Sequence, residues 1–321
     1  MPTFVFFPPQ REHTRAWAAA LAEQVPDWQV LVPEDEQTAR AQLATADAAF
    51  GTLPPDVLQS ASRLRWLQAP AIAPPAGYYS PELVAHPVVV TNFRGIFNEH
   101  IAAHIMAFVL AFARGLHYYI PRQLRHEWAP EPLDTGVIHL PATTALIVGV
   151  GGIGAEAATL CSAFGMRVLG VDARRGDTPA GVAELHPPEA LDGLLPQADF
   201  VILTIPHTPE TEGLFGAERF GRMRRGAFFI NIGRGMTTRL HDLVDALRSG
   251  HLAGAGLDVF EEEPLPPDHP LWAAPNVLLT PHTAGFGPFL DDRRLEIIID
   301  NARRFVRNEP LRNVVDKAHW F

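Results

Sequence analysis

The sequence predicts an α/β protein of parallel sheets wrapped by helices, and three observations carry that prediction. Short apolar runs alternate with helical spacings between Thr3 and Thr91. An apolar run from Thr143 to Val148 leads straight into Gly149, Gly151 and Gly154, spaced G-x-G-x-x-G. Further apolar runs recur between Arg167 and Thr280, enough for a second sheet.

In the first part of the chain, Thr3 to Phe7 reads as a strand and Arg11 to Gln24 as a helix with Trp17 and Leu21 on one face. Trp28 to Val32 is a strand, Glu36 to Ala44 a helix, and Ala46 to Phe50, Arg65 to Gln68 and Val88 to Thr91 are three more strands. This stretch has no phosphate-binding glycine pattern. Asn98 to about Tyr119 reads as one long helix. Ile101, Ile105, Met106, Phe108, Val109, Leu110, Phe112 and Leu116 make it apolar nearly all round, so it must be buried between domains or against a second subunit. His104 and His117 within it read as packed histidines, and Pro130, Pro132 and Pro141 punctuate the stretch before the glycine strand.

At the glycines each residue has a physical task. Gly149 permits the tight turn, Gly151 lets the backbone approach a pyrophosphate, and Gly154 lets the next helix, Ala155 to Phe164, pack on the strand. The helix N-terminus offers N–H groups and partial positive charge to phosphate. With Gly152 and Ile153 between them, these residues are the candidates for holding a dinucleotide. Arg167 to Val171 is the next strand, ending at Asp172, which is placed to accept from a ribose hydroxyl. That acid favours NAD, while Arg174 and Arg175 close behind offer charge to the extra phosphate of NADP. Phe200 to Thr204, Ala227 to Ile232, Ala253 to Val259 and Asn276 to Thr280 bring this sheet to six strands, as two mononucleotide-binding halves need. Phe289 to Asn308 is a charged amphipathic helix.

Composition excludes some functions. The chain has 321 residues, 47% hydrophobic, enough for sizeable cores. A net charge of −10 argues against nucleic acid or an anionic membrane as partner. The longest apolar stretch, Ile101 to Phe112, is too short to span a bilayer, and no secretory signal is visible. The one cysteine, Cys161, reads as a buried structural thiol, which fits a cytoplasmic protein. The scattered histidines offer no zinc spacing, so no metal is expected.

Three groups with chemical potential fall at strand ends, the edge where open α/β sheets bind ligands. In Asn231-Ile232-Gly233-Arg234-Gly235 an arginine between glycines is suited to grip a carboxylate with two parallel hydrogen bonds. The second group is Gly256-Leu257-Asp258-Val259-Phe260-Glu261-Glu262-Glu263-Pro264; taken alone, its glutamates read as a solvated loop. In Leu279-Thr280-Pro281-His282-Thr283-Ala284-Gly285 a strand-end histidine is a candidate acid/base.

Together, in this order after the nucleotide-binding unit, the three groups resemble the D-isomer-specific 2-hydroxyacid dehydrogenase family. Thr91-Asn92-Phe93-Arg94-Gly95-Ile96, Pro206-His207-Thr208-Pro209-Glu210-Thr211 and Leu271-Trp272 leading to Asn276-Val277 extend the resemblance over most of the chain. It implies two doubly wound parallel-sheet domains, Rossmann-like and flavodoxin-like, around a cleft. Residues 1–97 and 287–321 would form a discontinuous substrate-binding domain, and 98–286 the NAD-binding Rossmann domain. It also implies NAD as cofactor, with NADP as the alternative, a small 2-oxo or 2-hydroxy acid as substrate, and a homodimer paired through the region of the long helix. Arg234 would clamp the substrate carboxylate, and His282 would exchange a proton with the oxygen on C2. Glu263 would pair with His282 and favour its charged form. Asp258 would hold the nicotinamide carboxamide, and Pro206 would join the cofactor residues.

The chain departs from the family pattern twice. The Ala-Gly pair that commonly comes after a Leu-Gln such as Leu67-Gln68 falls here on Ile72 and Ala73, in a loop holding Pro70, Pro74 and Pro75. Ala103 stands where an Ala-Glu-His triplet usually carries its glutamate. The loop, with Ile72 and Tyr78-Tyr79, predicts a 2-oxo acid with an apolar or aromatic side chain in preference to glyoxylate. The same superfamily includes corepressors that use the fold as nucleotide-sensing scaffolds, which gives the alternative reading. Its formate enzymes usually have glutamine where this chain has Glu263.

Overall fold

In the computed structural model, whose described residues are 1–72, 77–130 and 137–318, the chain separates into two units, Met1–Ile96 with Pro288–Phe321, and Phe97–Gly287. The first unit runs β1 (Thr3–Phe6), α1 (Glu12–Gln24), β2 (Gln29–Leu31), α2 (Glu36–Leu43), β3 (Ala48–Phe50), α3 (Pro55–Ser60), β4 (Trp66–Gln68), α4 (Pro81–Ala85) and β5 (Val89–Thr91). Its parallel sheet has the order β2-β1-β3-β4-β5, the flavodoxin-like winding. The helices α3 and α4, of six and five residues, are too short to show a helical period in sequence. Each starts with a proline in its first turn, where the missing N–H costs nothing.

The last helix of the chain, α11 (Leu290–Val306, numbered after those of the second unit), belongs to this first unit. Trp28 Nε1 donates to Ala302 O at 3.0 Å, and Arg293 donates to Ile96 O at 2.8 Å. The Trp28 and Phe305 rings lie 5.0 Å apart. On β4 and β5 the indole of Trp66 donates to Thr91 Oγ1 at 2.8 Å, and that hydroxyl donates to Gln68 Oε1 at 2.7 Å. Gln68, fully buried, turns its amide to Ala69 O, and Asn92 Nδ2 reaches Ile72 O at 3.3 Å. The loop after β4 is thus pinned by buried amides up to Ile72. Ala73, Pro74, Pro75 and, further on, Pro132 lie outside the described residues. Tyr78 points inward: it is buried in the core beside Leu83 and Val90, donates to Gly51 O at 3.2 Å, and Tyr79 packs against the same core. Tyr78 is thus occupied by core packing and not by the apolar pocket that the sequence predicts, while Tyr79 is only partly buried.

The second unit runs α5 (Asn98–Ala113), α6 (Leu116–Leu124), β6 (Thr144–Val148), α7 (Gly152–Ala163), β7 (Arg167–Val171), β8 (Glu184–His186), α8 (Leu191–Leu194), β9 (Phe200–Leu203), α9 (Ala217–Arg222), β10 (Phe228–Asn231), α10 (Leu240–Arg248), β11 (Gly254–Leu257) and β12 (Val277–Leu279). All seven strands are parallel, in the order β12-β11-β10-β9-β6-β7-β8. That is the doubly wound dinucleotide order with one strand added at the β12 edge. The apolar runs predict six strands. The seventh, β8, holds one apolar residue, Leu185, and sits at the sheet edge, where a strand needs no apolar run.

The single long helix predicted from Asn98 is two helices. Gly115 takes the left-handed conformation at φ 69°, and α5 and α6 diverge by 76° there. Ile105, Phe108, Val109 and Phe112 of α5 are buried inside this unit with Ala157 and Cys161 of α7, so α5 needs no second subunit to cover them. On α6, Leu116, Ile120 and Leu124 are exposed. No single helix among the described residues is long and apolar enough to cross a membrane; only the bent α5–α6 pair has the length and composition. Cys161 is free and buried, 3.6 Å from Met106 Sδ, and burial pushes its thiol up to about 12.

Candidate active site

Because every strand of the second sheet runs the same way, the segments after β6, β7, β9, β10, β11 and β12 emerge along one edge. Neighbouring strands β6 and β9 lie where the winding reverses, the usual place for a nucleotide. The segments after these two strands interlock there. A Cβ on Gly149, at φ 97°, would come within 2.7 Å of Ile205 Cγ2, and Thr204 Oγ1 donates to Gly149 O. A Cβ on Gly154 would lie 2.0 Å from Gly149 O, which no small shift relieves. Gly152 is crossed by the Asn98 side chain, 2.6 Å from where its Cβ would be. Gly151 differs: nothing lies within 4 Å of its Cβ position, and as the N-cap of α7 it supplies no side-chain cap. Gly149 and Gly154 are therefore required by packing, Gly152 lies against a side-chain amide, and Gly151 leaves its face open above uncapped N–H groups. This is the cradle a pyrophosphate needs, so the loop fits a dinucleotide.

At the end of β7, Asp172 Oδ2 accepts from Val150 N at 2.7 Å, and Oδ1 accepts from Arg174 N at 2.8 Å and Arg175 N at 2.9 Å. These bonds fasten the acid beside the glycine loop and leave Oδ2 with lone-pair capacity for a sugar hydroxyl. Arg175 folds back, its guanidinium donating to Val150 O at 3.0 Å and pairing with Asp177 at 3.1 Å. Beyond β9, the Pro206 carbonyl accepts from Thr211 Oγ1 at 2.8 Å, which closes the 206–211 turn.

After β10, Asn231 builds the arginine loop. Its buried amide donates to Arg234 O, Thr237 Oγ1 and Thr238 Oγ1, and its Oδ1 accepts from Gly233 N at 2.9 Å. Cβ atoms on Gly233 and Gly235 would meet Ile205 O at 2.6 Å and Phe260 O at 1.8 Å. The Gly-Arg-Gly pattern is thus a packing requirement that leaves one side chain, Arg234, free to differ. Arg234 is half-buried and donates to Gly233 O at 2.6 Å. Burial draws its guanidinium below the ordinary value while the Glu263 charge opposes this. Arginine starts so high that it stays charged.

After β11 and β12, Glu263 and His282 meet. His282 Nδ1 lies 2.7 Å from Glu263 Oε2, and Glu263 Oε1 accepts from Phe260 N at 3.0 Å. An ionised carboxylate only accepts, so Nδ1 carries the proton of this bond and Nε2 is the atom left for exchange. The His282 side chain is half exposed. Asp258 is almost completely buried. It accepts from Thr280 Oγ1 at 2.6 Å, Thr283 N at 2.8 Å and Ala284 N at 2.9 Å, so it holds the turn carrying His282. Arg234, Glu263 and His282 are therefore gathered at one edge, with Asp258 beneath. Among the described residues no group of three or more His, Cys, Asp or Glu is arranged for a metal ion.

Three supports escape sequence reasoning. Asn231 carries no visible role there, and Thr204 gives no sign of being the clasp on Gly149. His104 reads as merely packed, yet its Nε2 lies 2.9 Å from Thr280 Oγ1. A polar residue one helical turn from Phe108 on the buried face of α5 is the signal that marks it, and the two rings meet edge to face at 4.8 Å. Ala103, where the family triplet carries glutamate, is exposed.

Comparison with known proteins defines the class. The family model described as D-isomer specific 2-hydroxyacid dehydrogenase, NAD binding domain, matches residues 106–284. Glyoxylate reductase of Korarchaeum cryptofilum is 35% identical over 270 residues, covering 82% of this chain and 79% of that protein. The crystal structure of a D-isomer specific 2-hydroxyacid dehydrogenase from Xanthobacter autotrophicus Py2, in complex with NADPH and MES, superposes with a TM-score of 0.84 at 30% identity, covering 100% of this chain and 99% of that one. An NADPH-dependent glyoxylate/hydroxypyruvate reductase from Sinorhizobium meliloti, in complex with NADP and sulfate, gives 0.80 at 28% identity over 100% of both chains. Fold and site thus define an NAD(P)-dependent oxidoreductase. The chain belongs to the D-isomer specific 2-hydroxyacid dehydrogenase family.

Proposed function

We propose that this protein reduces a small 2-oxo carboxylic acid to its D-2-hydroxy acid, and catalyses the reverse oxidation, with Arg234, Glu263 and His282 as its catalytic residues. The observation that carries the reading is the 2.7 Å pairing of His282 Nδ1 with Glu263, at the same sheet edge as Arg234. When bound, the nicotinamide supplies or accepts the hydride at C2. Arg234 binds the substrate carboxylate and draws electron density toward the 2-oxo oxygen. His282 gives a proton from Nε2 to that oxygen during reduction and removes it during oxidation, and Glu263 stabilises the charged imidazole. Gly149, Gly151, Gly152, Ile153 and Gly154 hold the pyrophosphate, Asp172 the ribose, and Pro206 and Asp258 border the nicotinamide. In this reading 1–97 with 287–321 is the substrate-binding domain and 98–286 the cofactor domain.

The substrates favoured are glyoxylate and hydroxypyruvate. Relatives carry those names, and Tyr78, which with Tyr79 suggests an apolar pocket in sequence, is buried in the core. The test compares kcat/KM for glyoxylate, hydroxypyruvate, 2-oxoisocaproate and phenylpyruvate. With Tyr78 withdrawn into the core, a larger side chain has less apolar wall to gain from, and the two small acids are expected to lead by about tenfold or more. A lead for phenylpyruvate overturns the assignment. No turnover with any of the four favours the nucleotide-sensing scaffold.

NAD is the expected cofactor, because Asp172 repels a 2′-phosphate. Titration is expected to show tighter binding of NADH than NADPH, with the gap narrowed in Asp172→Ala. Tighter NADPH binding in the native protein sinks the preference and points to Arg174 and Arg175.

A homodimer completes the proposal, paired through the exposed apolar residues of α6, Leu116, Ile120 and Leu124. Light scattering is expected to give twice the chain mass at micromolar concentration. A monomer there, or a dimer unaffected by Ile120→Asp, contradicts it.

A further inference from the structure

We infer that His104 and Thr280 are positioning residues for the turn that carries His282, acting through the Asp258 carboxylate. The inference deepens the acid–base reading of His282 and rests on it. All four residues lie in the second unit.

The polarity of the chain of bonds is set by its atoms. Ionised Asp258 only accepts, so the Thr280 hydroxyl, 2.6 Å from Oδ1, must direct its one proton there. Thr280 Oγ1 then offers only lone pairs to His104 Nε2 at 2.9 Å. Nε2 must therefore carry hydrogen and donate, which fixes the tautomer of a neutral His104. Burial lowers the pKa of His104, with the Asp258 charge opposing, so the neutral ring is favoured. The bonds run from His104 to Thr280 to Asp258, each polarising the next.

Asp258 passes this order to His282. Its two oxygens accept from Thr283 N at 2.8 Å and Ala284 N at 2.9 Å, in addition to Thr280 Oγ1. The anchors fall two residues before His282 and one and two residues after it. Between them His282 sits at φ 54°, a left-handed conformation that a residue with a Cβ rarely adopts. Such a conformation persists when its surroundings over-determine it, and here the buried Asp258 carboxylate grips the chain on both sides while His282 N donates to Thr280 O at 3.0 Å. Nothing in the His282–Glu263 contact requires His104, so its place under Thr280 has this separate purpose.

The test uses Thr280→Val, which keeps the shape and removes the hydroxyl. His104→Leu removes the donor, and His104→Gln returns an N–H at similar reach. His282→Asn is assayed beside them. Thr280→Val and His104→Leu are expected to lower kcat by about tenfold or more, because small displacements of a reacting group cost up to about 10²-fold. KM for NADH is expected to stay within about threefold, since the glycine loop is untouched. His104→Gln is expected to recover most of kcat. The proton resonance of His282 Nδ1, sharpened by its bond to Glu263, is expected to broaden in Thr280→Val. A dead His282→Asn beside a fully active Thr280→Val with an unchanged resonance overturns the positioning role alone. A loss in His104→Leu that glutamine does not restore also overturns it. A fully active His282→Asn overturns the acid–base reading instead.

Discussion

Arg234→Ala is expected to lower kcat/KM for a 2-oxo acid by about 10²-fold or more while NADH affinity stays within about twofold. The two effects separate because of how the loop is built. Asn231 holds it through the Arg234 carbonyl, the Gly233 N–H and the hydroxyls of Thr237 and Thr238, none of which is lost with the guanidinium. Gly233 and Gly235 stay seated on the carbonyls of Ile205 and Phe260. In the proposed mechanism the variant keeps its fold and lacks only an oriented charge at the reacting group. Arg234→Lys returns the charge without the two parallel bonds and is expected to recover a minor part of the rate. Steady-state kinetics with NADH titrated separately by fluorescence checks both halves. A rate within about threefold of the native enzyme removes Arg234 from the mechanism.

The second large effect is a displaced pH profile. In the proposed mechanism reduction needs protonated His282 and slows as pH rises, while oxidation needs the neutral ring and rises over the same range. Glu263 accepts from His282 Nδ1 and from Phe260 N with its two oxygens. Glu263→Gln removes the negative charge that favours imidazolium, and the new amide can accept at one of these positions only. Less imidazolium at a given pH means that the fall in reduction moves to lower pH, and the rise in oxidation moves with it. Paired pH–rate profiles in both directions test this. An unmoved profile in Glu263→Gln breaks the coupling.

Much of this molecule is legible in sequence because its chemistry is local there. The strand, three glycines, helix, strand and acid from Thr144 to Asp172 are one continuous stretch whose spacing reflects steric contact, such as Gly154 against Gly149 O. Arg234 and His282 are visible as chemically potent residues at strand ends, whereas Glu263 reads as one of three solvated glutamates until the family resemblance singles it out. Their convergence is not visible, because it depends on β10, β11 and β12 lying side by side. Elements escape where periodicity carries no information. Helices α3 and α4 are too short, β8 is an edge strand with one apolar residue, and the break at Gly115 hides inside an apolar run. Tyr78 misleads because an aromatic pair beside a variable loop looks the same in sequence whether it lines a pocket or fills a core. His104 escapes because its partner, Thr280, is remote in sequence.

The central claim is that this site moves a hydride to C2 of a 2-oxo acid while His282 supplies the proton. Incubating the enzyme with glyoxylate shows turnover but no stereochemistry, so hydroxypyruvate and NADH deuterated on the transferred position of C4 make the direct measurement. The account predicts a product carrying one deuterium at C2, of the D configuration, with the oxygen-bound hydrogen drawn from solvent. A product with no deuterium at C2, or of the L configuration, contradicts it.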